Sequence, residues 1–148
     1  MREKILRLIK TKNADNVILA LELAKGQGIA LGKLDLRNVD LRNANLEGVS
    51  LISADLRGVN FTNSNLKNAD FSEANLSWAV FFNSNLEGAN LLRANIEHAN
   101  FTDANLRGAN LRGAKTRWSN FDGANLRGAK TRWTNFDGTD LKNAKMDF

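Results

Sequence analysis

A five-residue phrase repeats without a break in phase from Ile29 to Phe148, and this period constrains the fold more than any other feature. Large apolar residues recur at position 31 and at every fifth position up to 146, which makes 24 consecutive pentads. Of these central residues, 21 are Leu, Ile or Phe, and the exceptions are Thr116, Thr131 and Met146. A fixed short period of this kind predicts a stacked solenoid rather than a globule.

The remaining positions of the phrase show how such a chain turns. A small residue, mostly Ala, stands two residues before each central residue, and Asn or Asp stands directly before it in most copies. Two residues after the centre, 14 of the 24 pentads carry Gly or Asn, which tolerate positive φ in a tight turn. Because a period of five fits neither a strand nor a helix, the chain is predicted to turn a corner in every pentad, with the small and central residues inside.

The first 28 residues lack the pentads and are predicted to form two helices. An apolar stripe at residues 5–9 indicates a short first helix. Asn13 is a suitable N-cap for a second helix that runs from Ala14 to about Lys25, and Gly26 and Gly28 are predicted to end it with left-handed backbone. The broad apolar arc of the second helix predicts a cap on the first coil, with a peptide-recognition module as the alternative. The predicted domains are therefore a helical cap, 1–28, and a repeat domain, 29–148.

The phrase itself, read from residue 123 as Gly-Ala-Asn-Leu-Arg, resembles the pentapeptide-repeat proteins over about four fifths of the chain. The resemblance implies an all-β solenoid, a right-handed quadrilateral parallel β-helix with four pentads per coil and about six coils. Residues 20 apart would then be vertical neighbours, and the sequence agrees, since like residues fall above like. One side would stack Leu41, Phe61, Phe81, Phe101, Phe121 and Leu141, and another Leu46, Leu66, Leu86, Leu106, Leu126 and Met146.

Composition narrows the classes of function. The chain has no Cys and a formal net charge of +5, so thiolate metal sites are excluded and a polyanionic partner is favoured over a basic one. No apolar run approaches the length of a membrane span, and a soluble, cytoplasmic protein without membrane contact is predicted. No catalytic pairing or phosphate-binding loop is evident, so neither an enzyme nor a cofactor is predicted.

Outward apolar residues form the first candidate site. Trp78, Val80 and Phe82 occupy one side at positions that normally carry polar residues, and they predict a patch for contact with a protein partner. Ile52 and Leu92 are outward apolar residues on another side. The alternative is a side-chain swap or local bulge that buries them.

A predicted aromatic column forms the second candidate site. Trp78, His98 and Trp118 are spaced by 20 at the corner position, so the imidazole should stack between two indoles. Such a column would serve as a stacking platform for bases or cationic side chains, or alternatively as a seam that stabilises one corner. As the sole histidine in a chain without cysteine, His98 does not predict a metal site.

A direct duplication creates the third candidate site. Residues 108–122 and 123–137 are identical except for Ser119 and Thr134, and the copied segment places Lys, Arg and Trp on two adjacent sides. This C-terminal surface predicts a polyanion patch for nucleic acid, and the alternative is a duplicated, solvated surface diluted by nearby aspartates. The candidate residues are Arg107, Arg112, Lys115, Arg117, Trp118, Arg127, Lys130, Arg132 and Trp133.

The last coil predicts self-association. This coil ends at Met146 and Phe148, and no capping segment follows it in the sequence. An uncapped edge with apolar residues predicts a C-terminal, head-to-head homodimer. The resemblance implies a further alternative, because some pentapeptide-repeat proteins bind DNA gyrase through a negative, DNA-like surface, although the net charge of +5 opposes it. The sequence thus predicts a non-enzymatic binding or scaffold protein whose partner it does not name.

Overall fold

A computed structural model describes residues 1–147 and begins with two helices. Helix α1 spans Arg2–Lys10 and helix α2 spans Ala14–Gly26. The N-cap prediction is confirmed, because the Asn13 side chain accepts a hydrogen bond from the Asn16 amide at 3.2 Å. The predicted role of Gly26 was wrong: it is the last helical residue, and only Gly28, with φ of 62°, has left-handed backbone.

Helix α2 lies against the first coil of the repeat, and helix α1 packs on α2. Buried residues of α1 and α2 share one hydrophobic core with the central residues of the coils. The Ile29 amide donates to the Ala24 carbonyl at 2.9 Å, and the Lys25 ammonium donates to the Glu47 carbonyl. The helices therefore occupy the place predicted for a cap.

The repeat forms stacked coils of four pentads. Each of the 19 parallel β-bridges joins a residue to the one 20 positions later, from Asp35↔Asp55 to Asn125↔Lys145. Within residues 1–147 these are isolated bridges and not continuous strands, because a corner in every pentad leaves one bridged residue per side. The first pentad is irregular, since its positive φ falls on Gly32 rather than on Lys33. We number the coils 1 to 6 from residues 29, 49, 69, 89, 109 and 129.

The coils have four faces, each defined by a column of inward central residues. Face 1 holds Leu36, Leu56, Leu76, Ile96, Thr116 and Phe136. Face 2 holds Leu41, Phe61, Phe81, Phe101, Phe121 and Leu141. Face 3 holds Leu46, Leu66, Leu86, Leu106, Leu126 and Met146, and face 4 holds Leu51, Phe71, Leu91, Leu111 and Thr131. The phenylalanines of face 2 stack in parallel, with ring centroids 4.6 Å apart for Phe81 and Phe101 and 4.7 Å for Phe101 and Phe121.

One pentad shows how the coil satisfies the hydrogen bonds of its backbone amides. Four of its five amides donate to carbonyls, one within its own turn and three in the coils above and below, and the fifth donates to the Asn or Asp side chain before the central residue. In residues 99–103 the donors and acceptors are Ala99 to Ile96 at 3.1 Å, Asn100 to Ala79 at 2.9 Å, Phe101 to Asn120 at 2.7 Å, Thr102 to the Asn100 side chain at 2.9 Å and Asp103 to Asp122 at 2.9 Å. The preference for Asn or Asp before each centre follows, because an amide that no neighbouring coil can reach needs an acceptor. We call this the Asx position.

A ladder of side-chain hydrogen bonds joins several Asx residues of adjacent coils. Side-chain amides donate to the residue one coil below, at 3.0 Å from Asn65 to Asn45 and at 3.1 Å from Asn105 to Asn85. These bonds run along the axis of the stack, so one Asx side chain joins its own turn to an adjacent coil.

The corners keep positive φ even where the residue is bulky. Glu73, Arg93 and Trp78 have φ of 58°, 55° and 64° at the place where other pentads carry Gly or Asn. Their amides still donate to the coil above, for example Trp78 to the Glu97 carbonyl at 3.1 Å. The hydrogen bond between coils thus outweighs the cost of left-handed backbone, which is about 1 kcal/mol or more for a non-glycine residue.

Candidate interaction surfaces

The predicted protein-contact patch lies across face 2 of coil 3. Trp78 is 62% exposed at one corner, Phe82 is 41% exposed at the other, and Val80 is half-buried between them. The alternative of a bulge that buries them is wrong. The positions of Val80 and Phe82 carry uncharged polar residues in the adjacent coils, namely Asn60, Thr62, Asn100 and Thr102, and that of Trp78 carries Gly58 and His98. The patch is therefore an apolar stripe on an uncharged part of the surface.

Val80 also interrupts the Asx position. It forms parallel bridges with Asn60 and Asn100 but offers no side-chain acceptor to the amide of Phe82. In the coil above, Asn100 accepts the corresponding amide of Thr102 at 2.9 Å. The patch thus replaces a stabilising polar side chain by an apolar one.

The predicted aromatic column forms beside this patch. His98 stacks on Trp78 with ring centroids 4.0 Å apart and planes 6° apart, and on Trp118 at 4.9 Å and 19°. A base cannot enter between rings at these separations, so any platform must use outer faces or ring edges. The column thus borders the stripe at Trp78 and extends two coils above it.

Arginines in the first two coils are paired with the Asp at the Asx position. Arg37, Arg42 and Arg57 each form a salt bridge with the aspartate two residues before, at 2.7 to 2.8 Å. Hydrogen bonds from the arginine side chain hold the pKa of Asp35, Asp40 and Asp55 below its ordinary value. The arginines of these two coils are therefore paired with carboxylates of their own pentads.

The candidate polyanion residues have a different environment. Their Asx positions carry Asn or Lys instead of Asp, and the cations are exposed without a salt bridge to any residue in 1–147. The sequence-based reasoning missed this contrast, although Asp-Leu-Arg in coils 1 and 2 against Asn-Leu-Arg in coils 4 and 5 signals it. Together the cations form a band over faces 4 and 1 and their flanking corners, which we call the cation band: Arg107, Arg112, Lys115, Arg117, Arg127, Lys130 and Arg132.

The two copied tryptophans lie at the corners of face 1. The guanidinium carbon of Arg117 is 4.4 Å from the ring centroid of Trp118, and that of Arg132 is 4.3 Å from that of Trp133. Trp133 is the most exposed large apolar residue at 74%. It lines an open groove of about 450 Å³ on face 1, together with Glu97, Gly113, Ala114, Lys115, Thr116, Arg117, Asn135 and Asp137.

The polar central residues of the copied segment behave differently. Thr116 is buried and its hydroxyl donates to the Asn135 carbonyl, which satisfies this polar group inside the coil. Thr131 is half-buried, and its side chain has no hydrogen bond to the described part of the chain. The difference follows from position, because Thr116 has a coil above it and Thr131 lies in the last coil.

Coil 6 leaves its upper edge open. Phe136, Leu141 and Met146 are half-buried, whereas the central residues beneath them are buried. The Phe121 amide of coil 5 donates to the Asp140 carbonyl at 2.7 Å, but within residues 1–147 the Leu141 amide above it has no acceptor. Phe148, the other predicted edge residue, lies outside the described residues.

Two features are absent from the described residues. Within 1–147 no group of three or more His, Cys, Asp or Glu side chains is arranged to hold a metal ion. No helix in the same range has the length and apolar character needed to cross a membrane.

Comparisons with known proteins agree on one family. A family model described as pentapeptide repeat region matches residues 27–101 and 54–131, and a model described as pentapeptide repeats (8 copies) matches residues 117–148. No curated protein matches the sequence.

Solved structures extend this agreement. A pentapeptide repeat protein from the Arabidopsis thaliana thylakoid lumen is 32% identical, with a TM-score of 0.60, over 66% of this chain and 65% of that one. One from the cyanobacterium Cyanothece 51142 is 36% identical over 74% and 60%, with a TM-score of 0.31. QnrB1, a plasmid-mediated fluoroquinolone resistance protein, is 20% identical over 76% and 82%, with a TM-score of 0.34.

Of these three, the Arabidopsis protein alone has a TM-score above one half, so it carries the structural comparison, and this chain spans 65% of its length. The pentads, the bridges between residues 20 apart and the family models all point to the same assignment. The chain belongs to the pentapeptide repeat family.

Proposed function

We propose that this chain is a non-enzymatic binding protein, a right-handed four-sided β-helix with a helical cap that presents face 2 to a protein partner. The supporting observation is the apolar stripe of Trp78, Val80 and Phe82 on an otherwise uncharged part of that face. Exposed apolar clusters on a surface of polar residues are typical of protein contacts. The stacked phenylalanines behind the face hold it rigid, which reduces the entropy lost on binding.

The partner that fits this stripe is a flat, mainly apolar protein surface with few charges. Val80 supports this reading, because the fold prefers Asn there and a binding role explains the exception. The cations without salt bridges in coils 4 to 6 oppose the negative surface that DNA mimicry and gyrase binding require.

A variant that restores the repeat residues tests the proposal. Trp78→Asn, Val80→Asn and Phe82→Thr introduce residues found at the equivalent positions of other coils, so we expect the fold to persist. The side chain introduced in place of Val80 would accept the backbone amide of residue 82, a gain of about 1 kcal/mol that offsets the lost Trp78–His98 stack, itself worth about 0.5–1.5 kcal/mol. Urea denaturation should show the same stability for this variant as for wild type. In affinity capture, a specific partner is one that free wild-type protein displaces, and the variant should fail to capture it.

The matched control removes apolar residues elsewhere. Ile52→Thr and Leu92→Thr change outward residues at the corner between faces 4 and 1 and should leave capture intact. Equal loss in both variants, or capture that persists without Trp78, Val80 and Phe82, would refute a contact through face 2.

We further propose that the open edge of coil 6 pairs with the same edge of a second copy. Half-buried Phe136, Leu141 and Met146 together with free edge amides support pairing by apolar burial and backbone hydrogen bonds. Sedimentation at high protein concentration should show a dimer, and Met146→Glu should shift it to monomer because a buried carboxylate is costly. A wild-type protein that remains monomeric throughout would contradict this pairing.

A further inference from the structure

We propose that coils 4 to 6 bind single-stranded nucleic acid through the cation band, with Trp118 and Trp133 as base-stacking residues. This surface covers faces 4 and 1 and their flanking corners, and it is separate from the stripe on face 2. The inference therefore stands or fails independently of the proposed protein contact.

The cations of the band lack salt bridges within the described chain. In coils 1 and 2 an aspartate two residues earlier neutralises each arginine, as Asp40 does for Arg42 at 2.7 Å. In coils 4 to 6 no residue of the described chain forms a salt bridge with the band. Bridges between Asn105 and Asn125 and between Asn110 and Lys130 place arginines in adjacent coils above one another. Such like-charge columns are destabilising until an anion binds them.

The two lysines of the band occupy places where the fold prefers an amide. Lys115 and Lys130 are at Asx positions, bridged to Asn95 and Asn110 below. A lysine there accepts no hydrogen bond from the amide two residues on, and Lys115 cannot accept one from Asn135 in the coil above. Both stand at mid-face, Lys115 on face 1 and Lys130 on face 4, and both are exposed. They join the arginine corners into one continuous band.

Aromatic groups distinguish this surface from a simple basic patch. Trp133 is 74% exposed and lines the groove of about 450 Å³ on face 1, and Trp118 is 52% exposed at the other corner of that face. Single strands are bound where cations follow the phosphates and aromatic rings accept unstacked bases. The stacked arginines Arg117 and Arg132 extend each ring into a cationic surface that suits a base next to its phosphate.

The same features select a single strand over the other polyanions. In a duplex the bases are already stacked and unavailable to indole rings, and an acidic polypeptide offers carboxylates but no planar bases. Glu97 and Asp137 also line the groove, so it is not uniformly positive. These carboxylates disfavour a continuous phosphate track through the groove and can accept hydrogen bonds from base amino groups.

The test uses the full chain and fluorescein-labelled oligo(dT) and oligo(U) of about 16 nucleotides. We expect salt-dependent binding that also quenches tryptophan fluorescence, since bases stack on indoles. Lys115→Asn with Lys130→Asn should weaken binding roughly tenfold at low salt and reduce the salt slope by about 1.4. Because each Asn restores an acceptor to the ladder, urea denaturation should show a stability equal to or above that of wild type, so misfolding cannot explain the loss.

A second variant keeps every cation of the band but gives two of its arginines a carboxylate partner. Asn110→Asp and Asn125→Asp place a carboxylate two residues before Arg112 and Arg127, as Asp40 stands before Arg42. It should weaken binding to a similar degree. Lys4→Asn with Lys10→Asn in α1 removes the same charge as the lysine pair of the band and should leave the affinity nearly unchanged.

Competition experiments distinguish single-stranded nucleic acid from other polyanions. Duplex DNA and polyglutamate should compete poorly with the single strands, and a comparison of oligo(dU) with oligo(U), which differ only in the sugar, identifies the sugar recognised. The proposal is overturned if no oligonucleotide binds at low salt, or if the α1 variant weakens binding as much as the band variants. It is equally overturned if polyglutamate or duplex DNA binds as tightly as the single strands, without tryptophan quenching.

Discussion

Replacing Phe101 by alanine is expected to lower the free energy of unfolding by about 3–5 kcal/mol. Phe101 is fully buried and stacks between Phe81 and Phe121 at 4.6 and 4.7 Å. Truncation would remove the buried ring and leave a cavity in the middle of face 2. Its two parallel stacks would be lost as well, each worth about 0.5–1.5 kcal/mol beyond burial.

Phe101→Leu is the matched control, because Leu41 and Leu141 fill this place in the first and last coils. It should cost much less than the alanine variant. Denaturation followed by circular dichroism and by tryptophan fluorescence would measure both variants. Since coils contact only their neighbours, the alanine variant should also separate the two transitions, with coils 3 to 6, which hold the three tryptophans, unfolding first. Equal stability of the alanine and leucine variants would refute a ring stack that stabilises this face.

Replacing Asn90 by leucine is expected to cost about 2–3 kcal/mol, because three hydrogen bonds at roughly 1 kcal/mol each are lost. The Asn90 side chain accepts from the Leu92 amide at 3.2 Å and from the Asn110 side chain at 3.0 Å, and it donates to Asp70 at 3.2 Å. One amide thus holds its own turn and joins three coils.

Thr62→Leu provides the control for an added apolar side chain. Thr62 is half-buried at a corner of face 2 and its hydroxyl has no partner among residues 1–147, so its replacement should change stability by less than about 0.5 kcal/mol. Guanidinium denaturation of both variants gives the comparison. If Asn90→Leu costs no more than Thr62→Leu, the side-chain amides do not stabilise the ladder.

Much of the architecture was accessible from the sequence. The inward positions, the coil of four pentads and the stacked phenylalanines of face 2 follow from a period that repeats one local structure. The irregular first pentad was not predicted, because Gly32 adopts the positive φ where the chain enters the coil from α2. The role of Gly26 was wrong for a related reason: two glycines each permit a helix end, and packing of α2 on coil 1 decides which one forms it.

The candidate sites divide in the same way. Sequence spacing predicted the column of Trp78, His98 and Trp118, since residues 20 apart must be vertical neighbours once the coil has four faces. It did not show that the rings stack too closely for a base to enter. Nor did it show that Val80 leaves the Phe82 amide without an Asx acceptor, because this depends on which amides the neighbouring coils reach.

The 24 pentads by themselves determined where each residue lies, since a short period fixes the inward and outward positions of every copy. Only the tertiary structure decided which outward groups are satisfied. Whether an arginine forms a salt bridge depends on the distance between its guanidinium and a carboxylate. Asp35, Asp40 and Asp55 supply that carboxylate only in coils 1 and 2. The exposed cations of coils 4 to 6 therefore became a candidate surface through their contacts, since net charge alone did not distinguish them from paired ones.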